Sequence, residues 1–423
     1  MRPLAAYLRS LDPKLPRDVW LLQLGGLLNA YGNGIVLPFL IIYLHNVRGI
    51  PLGLAGATAA ANSAAALVSG FVAGWLSDRV GPRRVLIGAL LSMTCAISLF
   101  PLIRVAWHAF LLNALLGSGS GAFWPSQSSM LTSLAPAARR HGGFALQRVS
   151  MNLGIALGGL TGGLIASSAD PTTFTILFVL DAATFLAYVF VLLRLPAPRP
   201  VEREERGTYL QVVRDRAFMS YVALNALFMA AAMAAWVELL PPFAKNDAGV
   251  SETGVGVIWA VDAIVIVVAQ LSVAKLVEGR RRMRGLALMG LLWAAAMLGF
   301  DAIGYWTEAA LAAGLMAAVT VLFAFGECLH GTLHAPLAAD LAPRGLMGRY
   351  MALSSQSWQV GWIVGPLAGG FLLQYAPYAL WLVAAGANLL GSAWSLALER
   401  RLPRPVRRTP RGAEPALAPI EVS

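Results

Sequence analysis

Gly74-Trp75-Leu76-Ser77-Asp78-Arg79-Val80-Gly81-Pro82-Arg83-Arg84 is a short charged turn between two long apolar runs, residues 52–77 and 83–104. Crossing the hydrocarbon core of a bilayer takes about 20 mainly apolar residues in a helix, and each flank supplies them. Lipid offers the backbone no hydrogen-bond partners, so each run is expected to be helical. A turn this short joins two neighbouring, antiparallel spans.

The same pattern continues in both directions. Candidate spans fall at residues 18–44, 52–77, 83–104, 108–134, 141–167, 172–195, 217–243, 252–276, 283–303, 308–338, 347–374 and 377–399. Of the 423 residues, 58% are hydrophobic and 13% charged, against roughly 25% charged in a soluble globular protein. Residues 1–17 carry Arg2, Arg9, Lys14 and Arg17; no cleavage site follows, so the first apolar run is expected to be a retained span. With the N-terminus in the cytoplasm, 29 of the 32 Lys and Arg lie on the cytoplasmic side, and only Arg48, Arg104 and Lys245 lie outside. This is the positive-inside asymmetry of a cell-membrane protein with both termini cytoplasmic. It also accounts for the net charge of +11 without nucleic acid, because the basic residues are spread over many short loops. Cys95 and Cys328 lie in apolar runs and form neither a disulfide framework nor a metal spacing.

Gly154-Ile-Ala-Leu-Gly158-Gly159-Leu-Thr-Gly162-Gly163 returns as Gly361-Trp-Ile-Val-Gly365-Pro366-Leu-Ala-Gly369-Gly370, 207 residues later. The same offset carries Leu134-Ala135-Pro136 onto Leu341-Ala342-Pro343 and Gly119 onto Gly326. Span 5 therefore corresponds to span 11, and span 4 to span 10. The expected organisation is a six-helix bundle over 1–195, a polar, Pro-rich cytoplasmic linker over 196–216, a second bundle over 217–399, and a disordered Arg- and Pro-rich tail over 400–423. Internal repeats of this kind are a mark of secondary transporters.

The loop quoted at the outset resembles the signature loop of the major facilitator superfamily, with Pro82 as a small departure. The resemblance covers most of the chain. It implies an all-α membrane protein of about 12 transmembrane helices in two pseudo-symmetric six-helix bundles around a central cavity. It also implies that Gly74, Asp78, Arg79, Gly81, Arg83 and Arg84 form a conformational latch. Gly74 is expected to admit a close helix approach. The Gly-Pro motif of span 11, with Gly361, Gly365 and Pro366, resembles the family's fifth-span antiporter motif. In span 5, Gly154 and Gly158 are its counterparts, and Gly159 takes the proline position. Helix packing without directional meaning remains the alternative. The sequence around spans 10 and 11 resembles bacterial multidrug-type proton antiporters, although Asn113 stands where an arginine often occurs in span 4 of such proteins.

Charged groups in a span are costly and usually face the bundle interior. Asp181, Glu238, Asp262 and Glu327 are the embedded acids. A carboxyl that exchanges protons near ambient pH is what coupling to a proton gradient requires. Glu327, His330 and His334 share one helical face by their i, i+3, i+7 spacing; a proton or substrate network, structural hydrogen bonding, and a three-ligand metal site are all open. No fourth metal ligand is visible, so no metal and no cofactor is expected. Asn29, Asn33, Asn113, Asn225 and Gln356 add uncharged polar groups, and Trp124, Trp259 and Trp358 are candidates for the wall of an apolar cavity. The expected function is alternating-access secondary transport, with proton-coupled efflux of hydrophobic or amphipathic small molecules. Import of a nutrient or metabolite is the alternative, and a non-transporting scaffold or receptor a remote one. The sequence holds no metalloprotease motif, nucleophile elbow or phosphate-binding Gly-Lys loop, so no enzyme activity is expected. The expected partners are a small-molecule substrate, protons and the lipid bilayer, and the expected state is a monomer.

Overall fold

In the computed structural model the described residues are 15–136, 140–197, 209–304, 309–343 and 346–409. Twelve long helices run through them. Nine are long and apolar enough to cross a membrane: spans 1 (Arg17–Val47), 2 (Leu52–Ser77), 3 (Pro82–Leu102), 6 (Pro171–Arg194), 7 (Arg216–Asn246), 8 (Glu252–Leu276), 9 (Arg282–Ile303), 10 (Leu311–Leu341) and 12 (Pro377–Glu399). Spans 4 (Ala106–Leu134), 5 (Arg140–Ile165) and 11 (Met347–Tyr375) are as long. They carry more polar residues, among them Asn113, Gln127, Gln147, Ser354, Gln356 and Ser357. The protein is an all-α membrane protein with the expected helices, ends shifting by a few residues.

The helix starts are set by local chemistry. Asp170, Asp215 and Ser251 cap spans 6, 7 and 8 by accepting from the backbone N–H of Thr172, Phe218 and Gly254, which satisfies donors that a first turn leaves open. Gly81 takes φ +90° before Pro82 at the first turn of span 3. That left-handed backbone favours glycine.

Two spans depart from regular geometry. Span 1 passes through a 3₁₀ turn at Leu37–Phe39 and a π segment at Tyr43–Val47. Span 7 contains two π segments, Met229–Met233 and Ala235–Leu239, before Leu240–Asn246. Pro38, Pro241 and Pro242 account for part of this, because each withdraws the N–H that an α-helical carbonyl four residues earlier would use.

Packing divides the chain into two compact units, one of residues up to 37 and 64–202, the other of 38–63 and 203–423. The cut runs through spans 1 and 2, unlike the sequence halves. Residues 38–63 join the second unit because Gly56 lies against the backbone of Pro366 and Gly370, and the Gly53 N–H donates to Gln374 Oε1 at 2.8 Å. Within each unit the sequence repeat has a physical counterpart. Gly154 and Gly158 of span 5 seat on span 1, against the backbone of Leu27, Tyr31 and Ile35; Gly361 and Gly365 of span 11 seat on span 7, against the backbone of Met229 and Ala230. Gly119 likewise meets Met93 of span 3, and Gly326 meets Trp293 of span 9.

One expectation is corrected. Disorder does not begin at residue 400: Arg404–Arg407 form a 3₁₀ turn, and Leu402 and Val406 are buried. The tail's apolar residues have a core to join, which composition alone did not reveal; 410–423 lie outside the described residues. Within the linker, Tyr209–Arg214 is helical, and 198–208 lie outside the described residues.

Candidate functional site

The polar residues of the second unit gather where spans 7, 8, 10 and 11 meet. Asp262 of span 8 and Glu327 of span 10 lie close enough to act on each other as a carboxyl pair. Gln270, two turns along span 8, donates to the Cys328 carbonyl (3.2 Å) and to Thr332 Oγ1 (2.9 Å), fixing span 8 against span 10.

His330 and His334 leave this pair and turn to spans 7 and 11. Their rings stack with centroids 4.7 Å apart. His330 Nε2 bonds Asn225 Oδ1 (2.8 Å), and Asn225 Nδ2 donates to Ser357 Oγ (2.7 Å). His334 Nε2 lies 3.1 Å from Ser354 Oγ, while its Nδ1 bonds the Tyr221 hydroxyl. The three residues sharing a face on span 10 therefore serve two clusters, an acid pair and a histidine network. Among the described residues no group of three His, Cys, Asp or Glu is arranged to hold a metal ion.

Beside the acid pair runs a stack of aromatic rings. Trp236 stacks on Trp259 (4.9 Å) and on Phe323 (5.2 Å), and Phe323 on Trp293 (5.5 Å). Trp259 is one turn from Asp262 and Phe323 one turn from Glu327, so rings and carboxyls line the same faces of spans 8 and 10. Trp358 meets the edge of His330. The indole N–H groups of Trp236 and Trp259 and the oxygens Asp262 Oδ1 and Glu238 Oε2 are buried without a hydrogen-bond partner among the described residues. Buried polar groups are nearly always satisfied. Tyr221, Ser354, Ser357, Trp236, Trp293 and Phe323 were missed in the sequence. Tyr221 carried a signal, its four-residue spacing to Asn225, whereas an aromatic in a span is usually core.

The other candidates sit apart. Asp181 of span 6 is 2% exposed, its backbone carbonyl accepting from Thr184 Oγ1 at 2.7 Å, and it closes over Gly32 of span 1 so tightly that a Cβ there would overlap its Oδ1. Asn33 and Asn113 donate back to the carbonyls of Asn29 and Ala109 on their own helices. Trp124 is 46% exposed and touches Phe123. Gln356 is half-buried, its Oε1 without a partner among the described residues.

At the quoted loop, Arg83 donates to the Leu193 carbonyl at 2.7 Å, capping the end of span 6. The Arg79 guanidinium lies 4.0 Å from the Trp75 ring centroid, and Arg84 is exposed. The Asp78 side chain lies outside the described residues. Gly74 corrects an expectation: a Cβ there would meet nothing within 4 Å, so this glycine makes no close helix approach in the present conformation.

Long apolar helices around a buried cluster of acids, histidines and stacked rings define a polytopic membrane protein. The chain belongs to the Major Facilitator Superfamily, whose family model matches residues 22–320. It is similar to the MFS-type transporter YttB of Bacillus subtilis, 25% identical, covering 92% of this chain and 96% of that one. It is similar to multidrug resistance protein MdtH of Cronobacter sakazakii, 26% identical over 79% of this chain and 83% of that protein. Its fold matches a POT family transporter solved with 5-aminolevulinic acid, at TM-score 0.77, 14% identity and coverage of 91% and 96%. It also matches the inward-open xylose transporter XylE of Escherichia coli, at TM-score 0.71, 15% identity and coverage of 90% and 95%. The protein is a multi-pass membrane transporter of this family.

Proposed function

We propose that the protein exports amphipathic small molecules in exchange for protons, by alternating access of a site in spans 7, 8, 10 and 11. The observation that carries this reading is the carboxyl pair Asp262–Glu327 beside the ring stack Trp236–Trp259–Phe323–Trp293. Flat rings bind apolar, aromatic bodies, and a ring face also attracts a positive centre. The pair holds a proton when the site is empty of substrate and releases it when a positively charged amphiphile takes its place. Competition of this kind makes the two fluxes opposite and linked. The likeness to MdtH supports the same direction. In this reading the sequence halves 1–195 and 217–399 are the moving bodies, joined through 196–216. The loop from Gly74 to Arg84 is the latch between states. The chain acts as a monomer in the cell membrane with both termini in the cytoplasm.

A second reading is import of a polar nutrient or metabolite. The hydrogen-bonded network of Tyr221, Asn225, His330, His334, Ser354 and Ser357 favours it, because polar solutes need fixed partners. One experiment separates the two. Purified protein is reconstituted into liposomes with an imposed pH gradient and an internal pH dye, and candidate compounds are added. Efflux predicts proton movement opposite to substrate movement, whereas import predicts the same direction. Glu327→Gln should abolish the coupled proton signal. Ordinary proton flux in that variant would reject the acid pair as the coupling site.

A further inference from the structure

The end of the second unit where spans 8 and 12 finish and span 9 begins carries a second arrangement, apart from the acid pair and ring stack. Residues 400–409 turn back onto the loop between spans 8 and 9. Arg408 pairs with Arg281 in an isolated antiparallel bridge, the Thr409 N–H donates to the Arg280 carbonyl at 3.0 Å, and the Thr409 hydroxyl bonds the Val277 carbonyl. Leu402 and Val406, each 1% exposed, anchor the strap. Gly279, at φ +68°, gives the loop its turn.

The strap gathers like charges. Arg280, Arg284, Arg400, Arg401, Arg404 and Arg408 are exposed at this end. Ion pairs here use two acids: Glu399 holds Arg281 at 2.7 Å and reaches Arg284 at 3.9 Å, and Asp340 is taken by the buried Arg282. Glu278 is the other acid in the loop, and it is exposed. Placing arginines directly across a bridge from one another is unfavourable by itself. Positive-inside topology requires basic loops but does not require two chain segments to fold their arginines together. An anion resting among them removes the repulsion.

We propose that this strap and loop form a binding site for the phosphodiester headgroup of an anionic phospholipid. Lipid is favoured over free phosphate by what adjoins the arginines. Leu276, in the last turn of span 8, is 58% exposed, and Leu396, one turn before the end of span 12, is 49% exposed. These aliphatic side chains offer acyl chains a surface directly below the basic cluster. Basic pockets between spans are the sequence-readable form of such recognition. The proposal depends on membrane embedding alone and stands or falls separately from the substrate and the coupling ion.

The test uses the full chain purified in a neutral detergent. Native mass spectrometry and thermal unfolding are followed while phosphatidylglycerol, cardiolipin, phosphatidylcholine or inorganic phosphate is added. The anionic lipids should bind and raise Tm, and phosphatidylcholine and phosphate at equal phosphorus should not. Each lost arginine should weaken lipid binding about fivefold, so Arg280→Gln/Arg404→Gln/Arg408→Gln should weaken it on the order of 100-fold. Arg104→Gln, an exposed arginine expected on the opposite side of the membrane, should leave it near the wild-type value. If the triple variant does not fold, Arg404→Gln alone, on an exposed turn, carries the fivefold test. Equal loss in Arg104→Gln and Arg404→Gln would overturn the proposal, as would equal binding of phosphatidylcholine. Stabilisation by inorganic phosphate alone would overturn the lipid assignment.

Discussion

Replacing single glycines by alanine tests how the helices touch, and the structure assigns different outcomes to positions that look alike in sequence. A Cβ on Gly361 would lie 2.9 Å from the Ala230 nitrogen and 3.0 Å from the Met229 carbonyl carbon. On Gly158 it would lie 2.8 Å from the Ile35 nitrogen and 2.9 Å from the Gly34 carbonyl carbon. These neighbours are backbone, so no side-chain rotation relieves the overlap and two helices must separate. Overpacking of this kind costs about 1–3 kcal/mol, which at roughly 2–4 °C per kcal/mol lowers Tm by several degrees. On Gly74 the added methyl meets open space. There the better helix propensity of alanine predicts a gain of up to about 1 kcal/mol. Thermal unfolding of the detergent-purified variants reads both signs. Transport in liposomes then reads the latch: Gly74→Ala should be at least as stable as wild type yet slower, because the close approach belongs to another state of the cycle. An unchanged Tm in Gly361→Ala would refute the packing argument, and full-rate transport by Gly74→Ala would remove Gly74 from the latch.

Asp340→Ala leaves Arg282, 1% exposed, without its partner. A loss of about 3 kcal/mol is expected in thermal unfolding, the low end for a broken buried pair because Asp340 is 28% exposed. Trp259→Ala should weaken binding of aromatic cations in a fluorescence titration by a factor of roughly 5–10, the worth of one stacked ring, while sparing polar solutes; an equal loss for both would argue against the ring stack as the binding wall. Burial pushes the carboxyl of Asp247, in the loop after span 7, above its usual range. The folded chain then binds more protons than the unfolded one, so stability falls as pH rises from below the ordinary carboxylate range through the raised value. Asp247→Asn should therefore raise Tm at pH 7 and give no gain below the ordinary range.

The sequence revealed whatever depends on spacing along one helix. Apolar runs placed the spans, and the 207-residue repeat anticipated that Gly154 and Gly361 do the same work on spans 1 and 7. Glu327, His330 and His334 were rightly put on one face, and Asp262 and Asn225 were singled out. What stayed hidden depends on which faces meet. Nothing along span 10 says that Glu327 finds Asp262 while His330 finds Asn225 one turn later. The ring stack was partly visible: Trp259 was flagged, but Trp236, Trp293 and Phe323 look like ordinary core until four spans converge. Gly74 shows the opposite limit, since a motif position gives its residue type and not the state in which it acts.

The paired π segments of span 7 bear on how Trp236 and Glu238 are aimed. Each wide turn accommodates a residue beyond the regular count, in effect a slipped stitch in the coil. If the segment at Met229–Met233 were to tighten into ordinary α geometry, everything beyond it would swivel by about 100°. Trp236 would then swing off the face of Phe323, and Glu238 would exchange one neighbourhood for another. Span 7 can thus re-aim two side chains by shifting register within itself, about the turn at Met229 and Ala230 that seats on Gly361.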